Sequence, residues 1–234
     1  MQETRSDPRI LLEVIVSTLA DAREAVRGGA DRLEVVRDIE RGGLTPPLDV
    51  VRAIAGETTV PLRVMVRENA GFDTNRGELN AMRRAATAFA GIGVDGLVLG
   101  FARDGLPLVG ELCEIIDAVP GTRVTYHRAF DTLTDQVHAI EQLSAIRQID
   151  RILTDGGDGS PAERCERLRR LSAAAGERVT IMAGSNVDER MLEMIAATGC
   201  VGEVHVGRAA RPGHDRSARV SADLVRSLRH LAGL

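Results

Sequence analysis

Short apolar runs alternate with longer amphipathic stretches along almost the whole chain. The runs are Ile10–Val16, Arg32–Val36, Val60–Val66, Gly96–Leu99, Arg123–Tyr126, Arg151–Thr154, Val179–Ala183 and Gly202–Val206. Most are rich in Val, Ile and Leu and short enough to be strands covered on both faces. Between them, Thr18–Arg27, Gly77–Ala90, Gly105–Ala118 and Ser160–Ala175 carry apolar residues at helical spacing. Strand followed by helix, repeated, predicts parallel strands joined by crossover helices.

Three related phrases mark the repeat: Gly29-Ala-Asp-Arg-Leu33, Gly93-Val-Asp-Gly-Leu97 and Gln148-Ile-Asp-Arg-Ile152. Each reads as a helix end, a tight turn and a strand begun through Asp. Thr45 before Pro46-Pro47, and Ser160 before Pro161, read as N-caps with proline in the first turn, and Asn186 is placed to cap the seventh helix. The loop Arg67–Gly77 is long for a βα connection and reads either as a lid or as a plain surface loop. Eight units without a linker or composition break predict one α/β domain over 1–234, a single (β/α)8 TIM barrel. A doubly wound open sheet has the same alternation, but the GxGxxG expected after its first strand is missing.

The interior of such a barrel is expected to be apolar and branched, so charged residues in the strands stand out. Glu13 interrupts the first strand and Glu34 the second; Arg63, Met65 and Arg67 share one face of the third. His127 follows the fifth strand, Asp155 the sixth, and His205 lies near the end of the eighth. A single structural ion pair, Glu34 with Arg67, would explain two of these. Ionisable groups on six strands instead point to convergence at the C-terminal mouth, where barrels place their chemistry. In His127-Arg-Ala-Phe-Asp131, the histidine is a candidate general acid or base, Arg128 an anion contact, and Asp131 either orients His127 or serves as a turn residue. Gly184, Ser185, Gly207 and Arg208, after the last two strands, are candidates for an anion site. His138 and His230 in helical stretches, and His214 in a polar loop, read as surface residues.

Composition narrows the chemistry. Of the 234 residues 44% are hydrophobic and 27% charged, with a formal net charge of -4 and only 2% aromatics, which favours neither a nucleic-acid surface nor base stacking. All 30 basic residues are Arg, so Schiff-base chemistry, lysine-bound pyridoxal phosphate and a P-loop are excluded. Met1–Ile10 is polar and the run after it is interrupted by Glu13, unlike a signal peptide, and no stretch is long enough to span a bilayer. Three scattered cysteines, Cys113, Cys165 and Cys200, form neither a disulfide framework nor a CxxC knuckle, so the expected compartment is the cytoplasm. No HExxH and no GxSxG elbow around Ser17 or Ser185 occur.

Gly28-Gly-Ala-Asp-Arg-Leu-Glu34, Gly42-Gly-Leu-Thr-Pro46, Val64-Met-Val-Arg67, Thr125-Tyr-His-Arg-Ala-Phe-Asp131 and Asp150-Arg-Ile-Leu-Thr154 resemble the CutC family, in the same order, from about Leu12 to Arg208. The resemblance implies a cytoplasmic, homo-oligomeric barrel linked to copper homeostasis and copper binding. Similar members often carry Cys where this chain has Ile15 and Val36, and Pro-Gly-Gly-Gly where it has Ala183-Gly-Ser-Asn186. Cu(I) prefers thiolate or thioether ligands, which leaves Met65 and Met182 as candidates. Cys113 and Cys165 read as helical and Cys200 as leading into the eighth strand, away from the mouth. Two expectations follow from different classes. One is a copper-handling protein. The other is an enzyme acting on a small anionic metabolite, with Glu13 and Glu34 as acid/base groups or metal ligands, Arg67 and Arg128 holding the anion, and His127 and His205 shuttling protons.

Overall fold

The computed structural model describes residues 9–233, so most of Met1–Ile10 lies outside it. The eight apolar runs form eight strands: β1 (Leu11–Val16), β2 (Arg32–Val35), β3 (Leu62–Met65), β4 (Gly96–Leu99), β5 (Arg123–Tyr126), β6 (Ile149–Thr154), β7 (Thr180–Ala183) and β8 (Glu203–Val206). They close into a barrel in the order β1-β8-β7-β6-β5-β4-β3-β2. All are parallel, and the seam pairs Glu13 with His205. Helices α1 (Leu19–Gly28), α2 (Leu48–Glu57), α3 (Arg76–Ile92), α4 (Val109–Ile116), α5 (Gln136–Ser144), α6 (Pro161–Ala175), α7 (Glu189–Thr198) and α8 (Ala222–Leu231) surround it. This is the expected (β/α)8 barrel. Among the described residues no helix is long and apolar enough to cross a membrane.

Local chemistry sets the element ends, not always where the sequence suggested. Thr18 caps α1 by accepting from the Asp21 N–H, and Gly29, at φ 95°, ends that helix in the left-handed region where glycine carries no Cβ penalty. Ser160 and Glu163 form the capping box of α6. Thr45 does not cap α2: its hydroxyl bonds the Arg67 backbone and Glu68, tying the loop after β2 to the end of β3. Asn186 does not cap α7 either; Asp188 does, accepting from the Met191 N–H. The stretch Gly105–Ala118 is not one helix. Asp104 and Gly105, both at positive φ, turn a hairpin between Ala102–Arg103 and Leu106–Pro107, so α4 starts only at Val109.

The apolar core lies between strands and helices: Leu12, Val14, Leu33, Val64 and Leu97 pack with helical residues such as Ala22, Ile54, Met82 and Phe89. The inside of the barrel corrects the expectation of a branched apolar filling. Its lower layers are charged. An unbroken chain of ion pairs runs Glu13–Arg32–Glu203–Arg151–Asp150–Arg63–Asp95–Arg123, four acids alternating with four arginines. Within it, Arg32 lies 2.6 Å from Glu203, Arg151 2.7 Å from Glu203, and Arg63 2.6 Å from Asp150 and 2.9 Å from Asp95. Arg63, fully buried, therefore belongs to the floor and not to the mouth. Burying Glu13, Arg32, Arg63 and Glu203 is tolerable because each has an opposite partner, and the chain of pairs reaches solvent at Arg123. Gly96 makes room for one of them: a Cβ there would come within 2.5 Å of the Arg63 guanidinium. Near the top, Val36, Met65 and Val98 form a small separate apolar cluster against Ile15 and Ile39.

Candidate functional site

Side chains two apart on a strand share a face, so Glu34 stands one step above Arg32, and His205 one step above Glu203. The register places Glu13 beside His205 and Ile15 beside Glu34. As a result the His205 ring lies between two carboxylates, with Nδ1 2.7 Å from Glu13 and Nε2 3.5 Å from Glu34. All three are buried. Burial opposes ionisation of Glu13, but Arg32 and His205 outweigh it and hold that carboxyl well below the usual range. Burial pushes the Glu34 carboxyl up to about 7; the charge of His205 offsets part of this and that of Glu13 adds to it. Burial also opposes a charge on His205, yet Glu34 and Glu13 prevail and raise its pKa. The three are thus an anchored anion, an imidazole favoured as imidazolium, and a carboxyl poised near neutrality.

His127 differs. It caps the short helical turn Arg128–Thr132, its Nδ1 accepting from the Ala129 N–H at 3.1 Å. That bond leaves Nε2 to carry the ring proton. Burial, with Arg67 and Arg128 nearby, brings its pKa down to about 3. Burial and the two arginines thus favour the neutral ring, with its hydrogen on Nε2. Asp131 does not touch it: the Asp131 carboxylate takes Arg128 at 2.8 Å, the Thr154 hydroxyl at 2.6 Å and the Asp155 N–H. Arg128 is held by Asp131 and Asp155.

The structural pair between Glu34 and Arg67 does not form. Arg67 donates instead to the Gly42, Ala70 and Gly71 carbonyls and lies 4.8 Å over the Phe72 ring. These bonds occupy four of its five N–H groups, leaving one for a ligand. They also pin the Arg67–Gly77 loop, whose Phe72 sits 5.4 Å from the His127 ring.

Glu34, Arg67, His127, Arg128, Ser185, His205, Gly207 and Arg208 line one cavity of about 360 Å³ at the C-terminal ends of the strands. Ile15, Val36, Met65 and Phe72 supply its apolar wall. Glu13 lies behind it, reaching the cavity through His205. Gly184 is not part of the lining; a Cβ there would strike Leu153 at 2.4 Å and meet the His205 ring at 3.2 Å, so this glycine makes space for packing. All three other histidines are exposed, His138 beside Glu141, His230 on α8, and His214 beside Arg41 and Arg216 at the rim of the cavity. Sequence reasoning missed Arg32, Asp95, Asp150, Arg151 and Glu203. The alternation Arg32/Glu34 and Glu203/His205 was the available signal, two polar residues on one strand face.

The lining does not suit copper. Among the described residues no group of three or more His, Cys, Asp and Glu gathers to hold a metal ion. Met65 is the one sulfur among the lining residues, and the Met182 sulfur accepts Arg32 at 3.2 Å in the floor. A soft Cu(I) ion would find no thiolate here.

The chain matches the CutC family model over residues 10–210. A CutC family protein of Agrobacterium fabrum is 34% identical over 91% of this chain and 84% of its own. The human copper homeostasis protein cutC homolog is 33% identical, covering 83% of this chain and 72% of its own. A solved CutC structure from Streptococcus agalactiae superimposes with a TM-score of 0.76 at 26% identity, over 84% of this chain and 97% of that one. Barrel, motifs and relatives agree, and the chain belongs to the CutC copper homeostasis family.

Proposed function

We propose that the mouth of this barrel binds a small anionic molecule and exchanges a proton with it, and that the chain's part in copper homeostasis runs through this chemistry. The observation that carries the reading is the Glu34–His205 pair facing a cavity ringed by arginines. Glu34, with its pKa near neutrality, takes or returns the proton. His205, fixed by Glu13, supplies positive charge beside it. Neutral His127 donates its Nε2–H to a ligand oxygen. The charges of Arg67, Arg128 and Arg208 hold the anion, and Phe72 covers the site from the loop. As the family resemblance implies, this reading places the chain in the cytoplasm as a homo-oligomer.

A thermal-shift screen of small carboxylates and phosphates tests the proposal. A binder should raise the melting temperature of the wild type and lose most of its effect on H127A and E34Q. Absence of any binder at millimolar concentrations, with H127A matching the wild type throughout, would reject it. The copper-holding alternative is decided separately, by competition titration against a Cu(I) chelator. Sub-micromolar Cu(I) binding that disappears in Met65→Leu would place copper in the mouth and contradict this reading.

A further inference from the structure

Two of the three cysteines meet outside the barrel. Cys165 on α6 and Cys200, between α7 and β8, bring their Sγ atoms to 2.9 Å, and both are buried. Cys113 on α4 has no such partner among the described residues. Thiols held this close by separate elements need only a small approach to reach the roughly 2.05 Å of a disulfide. Cys200 follows directly on the exposed end of α7, whose helix closes at Thr198 and whose cap, Gly199, turns the chain in the left-handed region (φ 59°).

We propose that Cys165 and Cys200 are a redox pair that a hydroperoxide closes into a reversible disulfide, cross-linking α6 to the start of β8, the strand that carries His205. The Cys200 thiolate attacks the peroxide O–O bond; one oxygen transfers to sulfur as a sulfenic acid and the other leaves as hydroxide, which takes the proton released by the thiol. The Cys165 sulfur then attacks the Cys200 sulfur, expelling the sulfenic oxygen as water. In total, two thiols and one hydrogen peroxide give one disulfide and two waters. Burial, with Cys165 adding to it, pushes the Cys200 thiol up to about 11, so closure is slow and answers sustained oxidation, not a brief pulse. The bond would join positions 35 apart in sequence, long enough for cross-linking to stabilise the fold.

Peroxide treatment of the full chain, denaturation, alkylation of remaining thiols and unreduced peptide mapping by mass spectrometry test this directly. The expected result is a Cys165–Cys200 cross-linked peptide with Cys113 alkylated, a melting temperature higher by on the order of 5 °C, and reversal by dithiothreitol. C113S should behave identically, and C200S should leave Cys165 alkylatable. Full alkylation of Cys165 and Cys200 after prolonged peroxide, sulfinic acids without a cross-link, or a cross-link through Cys113 would overturn the proposal.

Discussion

His205 shows how one side chain takes its character from two neighbours. Glu13, anchored by Arg32, fixes Nδ1, while Glu34 and the cavity lie on the Nε2 side. The consequences for pH follow from Glu34. Its folded pKa, about 7, lies above its ordinary value of 4.5, so the carboxyl favours folding most below pH 4.5, and that contribution is lost as pH rises through 7. Replacing it with an uncharged isostere removes the penalty. E34Q should therefore gain stability relative to the wild type between pH 5 and 8, by up to about 3 kcal/mol, read as denaturant midpoints across that range. A difference that stays flat with pH would show that Glu34 titrates normally. Removing Glu13 acts the other way, because it strands both Arg32 and His205; E13A should lose about 3–5 kcal/mol in chemical denaturation. These two glutamates were visible in the sequence as charges in strands, but their opposite protonation preferences were not. Those depend on Arg32, whose pairing with Glu13 and Glu203 forms only in the closed barrel.

At the scale of elements, alternation of apolar and amphipathic segments was enough to locate every barrel strand, because strands covered by helices must be apolar on their outer faces, but it missed the short hairpin Ala102–Arg103/Leu106–Pro107. The ends were less legible, since capping depends on where a side chain points. Asn186 and Thr45 both have the right chemistry for caps, yet the fold uses them to join loops around the mouth. Asp188→Ala should accordingly destabilise the protein by about 1 kcal/mol through α7, whereas Asn186→Ala should leave α7 intact, as hydrogen exchange of the first helical turn would report. Loss of protection at α7 in Asn186→Ala would reverse the assignment. The loop Arg67–Gly77 is likewise pinned by a residue at its own start. Arg67→Lys keeps the charge but cannot reach the carbonyls of Gly42, Ala70 and Gly71 together, so exchange in that loop should quicken by roughly tenfold.

For the whole molecule, the barrel stacks three environments: a charged floor, a waist where Glu13 and His205 meet, and a cavity with an apolar wall and a cationic rim. The closed sheet and the motif order were readable from sequence. The floor was not, because its pairs join residues far apart in the chain; Arg63 and Asp150, for example, are separated by 87 positions. Arg63→Met would leave Asp150 and Asp95 short of a buried cation, and should cost about 3–5 kcal/mol without changing ligand affinity at the mouth. Loss of ligand binding in a folded Arg63→Met protein would mean that floor and mouth are coupled.

The most direct measurement is the titration of glutamate side-chain carboxyls by carbon-13 NMR in the folded protein. One carboxyl should titrate with a midpoint near pH 7, be absent from E34Q and shift when an anion occupies the cavity. A spectrum in which every glutamate titrates in the ordinary carboxylate range, with or without a bound anion, would contradict it.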